Sequence, residues 1–126
     1  MGKIICRAAA EHLTPCIMEL GGKNPVFVTS QADWKSAIWK ILDNKFLNAG
    51  QFCVSPDYVL LDESIDIEEF KAEVKAATLK YFDSAAKGSE HYARIVAPRH
   101  HERLMKMLEE EHGGEYIIGG PAEVTH

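Results

Sequence analysis

Residues 47–59, LNAGQFCVSPDYV, carry the chain from a helix-like run into a strand-like run, with a cysteine at the joint. Upstream, Asp33 suits a helix N-cap, and Ala37, Ile38, Ile41, Leu42 and Phe46 recur at helical spacing. That helix fades at Asn48–Gly50. Downstream, PDYVLLDE, residues 56–63, reads as a strand, and PVFVT, residues 25–29, reads as another that follows the turn GGKN. Strands alternating with helices predict an α/β class with mostly parallel pairing.

The remaining segments extend the pattern. Residues 2–13 read as a helix with Ile4, Ile5, Ala8, Ala9 and Leu13 on one side, stopped by Thr14 and Pro15. CIMEL, residues 16–20, reads as a short buried strand entering Gly21–Gly22. A long helix is expected from Ser64, with Ile67, Phe70, Val74, Ala77 and Tyr81 at steps of three and four, acidic early and basic late. A further helix is expected over 98–112, with Leu104, Met105 and Leu108 on one stripe, and EYIIGG, residues 115–120, as a last strand.

Bulk properties exclude several classes. The chain has 126 residues, 46% hydrophobic and 26% charged, which suits one globular domain. Net charge is −5 and the 14 basic residues form no cluster, which argues against a nucleic-acid partner. Three widely spaced cysteines do not make a disulfide framework and favour a reducing, cytoplasmic setting. No apolar run is long enough to cross a membrane. His12, Cys6, Cys16 and the pair His100–His101 repeat no metal-ligand spacing, so no metal site is expected.

Two residues stand out for chemistry. Glu19 ends an apolar run before a double glycine, where a carboxylate serves no packing purpose and strand ends commonly meet ligands. It also reads as a strand-edge carboxylate reaching water. Cys53 follows Gly50, Gln51 and Phe52 on a bend, where backbone N–H groups near the sulfur can stabilise an oxyanion. Its plain alternative is inert packing, since free thiols are often buried. For Cys6, inside a helix, and Cys16, opening a strand, packing is the expectation.

Taken together, ELGGKNP at 19–25 and GQFC at 50–53, with 34 positions from Glu19 to Cys53, resemble the paired active-site signatures of the NAD(P)-dependent aldehyde dehydrogenase superfamily. GKIICRAAAEHLTP, AIWKILDNKF, SPDYVLLDESI and RIVAPRHHERLMKML look most like its class-three and fatty-aldehyde branch. The resemblance implies Cys53 as nucleophile, Glu19 as general base for hydrolysis of an acyl-thioester, and NAD or NADP as hydride acceptor. It aligns Gly2 with the second glycine of a cofactor phosphate-binding stretch.

The resemblance further implies a central slice of a longer enzyme. Residues 1–15 would be the last helix of the cofactor-binding domain, and residues 16–126 part of the catalytic domain. The oxyanion-hole asparagine would lie upstream and the motif holding the nicotinamide ribose beyond His126. The parent is expected to be a homodimer acting on a small-molecule aldehyde, with any membrane anchor of the fatty-aldehyde kind outside this chain. An alternative from another class is a non-catalytic chain that uses the inherited fold for interaction or oligomerisation.

Overall fold

Each strand has a proline at its first or second residue. Asn24 and Ser55 each precede one, which drives them into extended backbone, and Pro25 and Pro56 occupy strand openings, where a missing N–H is tolerated. The computed structural model describes residues 1–82 and 86–120. In it, β1 (Asn24–Val28) and β2 (Pro56–Leu61) form a parallel two-stranded sheet. Asn24 lies opposite Pro56, but Pro25 lies opposite Tyr58, so Asp57 is taken up as an extra residue at the start of β2.

The crossover between the strands is α2 (Trp34–Phe46), capped by Asp33, whose carboxylate accepts the Ser36 N–H at 3.2 Å. After β2 comes α3 (Ile67–Tyr81). Asp66 caps it by accepting from the N–H groups of Glu68 and Glu69, at 2.8 and 3.0 Å. It starts three residues later than the Ser64 expected from sequence, because Asp62 takes both the N–H and the hydroxyl of Ser64 into a turn.

The helices lie side by side with like ends together: Trp34 meets Phe70 at 5.9 Å and Phe46 meets Tyr81 at 5.1 Å between ring centres. Between them and β2 sits the core of Ile38, Leu42, Phe70 and Ala77, with Val59, Leu61 and Val74 packed against it. The α/β class and parallel pairing expected from sequence are present. The helices cover one face of the sheet only. On the other, Phe27 is 69% exposed and its cross-strand partner Leu60 48%, although parallel sheets are ordinarily buried on both faces.

Several expectations need correction. Residues 16–20 form no strand and are exposed, since β1 pairs with β2 and no described strand lies beside them. Residues 115–120 likewise form no strand: the Glu115 carboxylate pairs with Lys71, the Tyr116 hydroxyl donates to the Leu108 carbonyl, and Gly119 and Gly120 take positive φ. The first helix, α1, is Gly2–Glu11. Leu13, at φ 51°, ends it where a glycine is usual, with Thr14 N–H reaching back to the Ala9 carbonyl at 3.0 Å. Its apolar stripe is largely exposed. Cys6 and Cys16, expected to pack, are exposed as well. The last helix, α4, is Pro98–Glu109, shorter than the 98–112 expected.

Replacing Ile38, 1% exposed, by alanine is expected to destabilise the chain by about 2–5 kcal/mol. Phe27→Ser on the open sheet face should change it by less than about 1 kcal/mol. Urea unfolding of both variants measures this, and a larger loss for Phe27→Ser would contradict the one-sided core.

Candidate functional site

Adjacent parallel strands start at the same edge of a sheet. The approach to β1 is the segment 18–23, MELGGK, and the approach to β2 is the segment 50–55, GQFCVS. Parallel pairing therefore lays the two signature segments beside each other at the N-terminal edge, rather than at the strand C-terminal ends that the sequence reading favoured.

Cys53 reaches that edge through two successive reversals. After α2, Asn48, Ala49 and Gly50 take left-handed backbone, with φ of 51°, 55° and 73°. Alanine and asparagine pay strain for this. The Ser55 N–H then donates to the Phe52 carbonyl at 3.1 Å, closing a four-residue turn with Cys53 and Val54 at its centre. Because the peptide is planar and trans, turning the Phe52 carbonyl inward points the Cys53 N–H outward. The thiol itself is exposed.

The segment before β1 is packed against this turn. A Cβ on Gly22 would lie 2.9 Å from the Cys53 carbonyl oxygen, so only glycine allows the approach. The Asn24 side-chain amide donates to the carbonyls of Cys53 and Ser55, at 2.8 and 2.9 Å. Its backbone N–H donates to the Asp57 carboxylate at 3.0 Å. That hydrogen bond, and then the charges of Lys23 and Lys45, hold the Asp57 carboxyl below the usual range.

Gln51 ties in a third segment. Its side-chain amide donates to the Arg94 carbonyl at 3.1 Å and accepts from the Val96 N–H at 2.9 Å, so it pairs with backbone as a strand would. Sequence reasoning missed Asn24, Gln51 and Asp57 as organisers. The available signal was their position inside or beside the two signatures, but their partners are up to 45 residues away.

Of the three candidates named from sequence, Glu19 is exposed in the irregular segment before Gly21–Gly22. Gly2 opens α1, and a Cβ there would meet both Leu20 methyls at 3.2 Å, so the helix start rests against the residue next to Glu19. Ile4 and Ile5 N–H groups bond the Met1 carbonyl, which leaves the Gly2 and Lys3 N–H groups at the helix start. The Gly2 and Lys3 N–H groups are donors of the kind a phosphate oxygen accepts from. Two depressions in the surface run along α3, lined by residues such as Lys71 and Ile65, and neither includes Glu19 or Cys53. Among the described residues, no three His, Cys, Asp or Glu side chains gather as a metal site, and no helix is long and apolar enough to cross a membrane.

The whole sequence, residues 1–126, matches the profile described as "Aldehyde dehydrogenase family". It is 42% identical over 125 residues to the Canis lupus familiaris protein named "Aldehyde dehydrogenase, dimeric NADP-preferring", covering 99% of this chain and 27% of that protein. It is 36% identical over 123 residues to the Rattus norvegicus "Aldehyde dehydrogenase family 3 member A2", covering 98% and 25%. A solved structure described as the substrate-bound state of Staphylococcus aureus AldH superposes with a TM-score of 0.75 at 38% identity, covering 86% of this chain and 23% of that one. The chain thus spans about a quarter of the length of the relatives it matches.

The Asp57 carboxyl gives a pH test. Its folded pKa is lowered, so its stabilising contribution is complete above the ordinary Asp value of about 3.9 and is lost as pH falls through the folded value. Asp57→Asn is expected to be less stable than the parent chain at pH 6, with the gap closing as pH falls below the ordinary Asp value and through the lowered folded one. Urea midpoints from pH 2 to 7 measure it, and a constant gap would refute the assignment.

Proposed function

The chain belongs to the aldehyde dehydrogenase family, and on that premise we propose that it supplies the reacting residues for oxidation of an aldehyde to a carboxylic acid with NAD or NADP. Cys53, as thiolate, forms a bond to the aldehyde carbon while the carbonyl electron pair moves to oxygen. The outward Cys53 N–H stabilises that oxygen. Gly2 at the start of α1 would hold the phosphates of NAD or NADP, which would accept the hydride that the tetrahedral carbon loses as its oxyanion re-forms the carbonyl of an acyl-thioester. Glu19 takes a proton from the water that adds to the resulting acyl-thioester, and the acid leaves with return of the thiolate.

The observation that carries this reading is the contact of Gly22 and Asn24 with the Cys53 carbonyl, which joins the glutamate-bearing segment to the cysteine turn. We assign residues 1–15 to a cofactor-binding unit and 16–126 to a catalytic one. The apolar stripe of α1, largely exposed at Ile4 and Ile5, supports this. The canine relative is named as dimeric, and we extend a homodimer to the whole protein that carries this chain.

The chain by itself presents Cys53 on an open surface and spans a quarter of its relatives, so positioning of substrate and cofactor is incomplete. Its aldehyde-dependent reduction of NAD or NADP is expected to fall at least about a hundredfold below that of a full-length relative. The thiol chemistry is testable directly. Cys6, Cys16 and Cys53 are all exposed, so accessibility does not rank them. Iodoacetamide labelling at pH 7, read by peptide mass spectrometry, should modify Cys53 about tenfold faster than either of the others. Equal rates would remove the nucleophile assignment.

One observation favours a second reading, in which the chain acts as an interaction module. The open sheet face carries Pro25, Phe27, Tyr58 and Leu60, and such a patch drives self-association. Size-exclusion chromatography is expected to show oligomers that Phe27→Ser reduces. A compact monomer at all concentrations would dismiss this reading.

A further inference from the structure

We infer that Asn24 is the positioning residue for Cys53, an inference that rests on the proposed nucleophile and extends it. The four-residue turn around Cys53 presents the carbonyls of Phe52, Cys53 and Ser55, of which the first is taken by the Ser55 N–H. One side-chain amide holds two of those carbonyls. The Asn24 Nδ2 donates to the carbonyl of Cys53 at 2.8 Å and to that of Ser55 at 2.9 Å. These flank Val54, so the amide spans the second half of the turn from within.

Planarity transmits the hold. With the Cys53 carbonyl drawn toward Asn24, the Val54 N–H of the same peptide points away from Asn24, just as the Cys53 N–H points away from the Ser55 N–H that holds the Phe52 carbonyl. The residue after Ser55 is Pro56, which has no N–H to orient, so anchoring the Ser55 carbonyl costs the turn no donor. Among the described residues the Cys53 and Val54 N–H groups have no carbonyl partner, and the thiol between them is exposed.

Asn24 is itself fixed from three directions. Its N–H is bound to Asp57 at 3.0 Å, it precedes Pro25, and it pairs with Pro56 in the sheet. A side-chain carboxamide is the right group for the task. It has two N–H donors for two carbonyls and carries no charge, whereas an aspartate in its place would set a carboxylate against two carbonyl oxygens.

The test compares Asn24→Ala, Asn24→Asp and Asn24→Ser with the parent chain in two readouts. Amide hydrogen exchange is followed at Ser55, whose N–H closes the turn, and at Leu42 in the core. Iodoacetamide labelling of Cys53 is followed at pH 7, with Cys6 and Cys16 as internal references. Asn24→Ala and Asn24→Asp are expected to speed Ser55 exchange at least about tenfold with Leu42 unchanged, and to change the Cys53 labelling rate at least about threefold with the two references constant. Asn24→Ser, which keeps one short donor, should fall between them and the parent. It also serves if the other two fail to fold. Unchanged Ser55 exchange, or an unchanged Cys53 rate in a variant whose core stays protected, overturns the inference. If the parent labels all three thiols alike while the Asn24 variants still alter Cys53, the positioning role stands and the nucleophile reading falls.

Discussion

Everything near the signature segments depends on one parallel strand pairing, Asn24 opposite Pro56. A parallel ladder brings the beginnings of two strands to one edge, and the residues before them follow. Had the strands paired antiparallel, the cysteine turn would lie beside Val28 and Glu19 at the opposite end. The extra residue at Asp57 secures the start of the ladder: its carboxylate receives the Asn24 N–H and faces the ammonium groups of Lys23 and Lys45 at 3.8 and 3.7 Å. Exposed ion pairs of that length contribute little each. The hydrogen bond to backbone ties Asp57 directly to the first residue of β1.

Above that edge the fold is held from one side. The core residues Ile38, Leu42, Phe70 and Ala77 weld α2 and α3 to each other and to the inner face of β2. At its far end, rings of Phe46, Tyr81, Phe82 and Tyr92 continue the packing, with Phe46 and Phe82 centred 4.7 Å apart. The helix that leads into the cysteine turn is therefore anchored before the turn begins. The left-handed run at Asn48–Gly50 is the strained joint between that rigid helix and the turn. The outer face of the sheet and the stripe of α1 remain open, which is consistent with a chain that spans about a quarter of its relatives' length.

The site assembled this way is a surface of backbone, shaped more by carbonyl and N–H directions than by charge. Glycine at 22 admits the cysteine carbonyl, and amide side chains at 24 and 51 satisfy backbone groups from distant segments. That composition suits chemistry in which a developing oxyanion needs oriented N–H groups more than a charged partner.

Much of this was legible in the residues themselves. The helical spacing from Ala37 to Phe46, the caps at Asp33 and the alternation of strands and helices are local properties, and local sequence determines them. So did the two signatures and their interval, which are matters of residue type and count. The failures share a cause. CIMEL and EYIIGG are apolar enough for strands, but a strand exists only when a partner offers its ladder, and neither segment has one among the described residues. The same holds for Cys6 and Cys16, whose burial needed neighbours that composition does not supply. Which edge the signatures share, that Asn24 grips the carbonyls around Val54, and that Gln51 reaches Arg94 and Val96 were decided by tertiary structure alone. Those contacts join residues 29 to 45 positions apart, and only the parallel pairing and the packing of α2 bring them within hydrogen-bond reach.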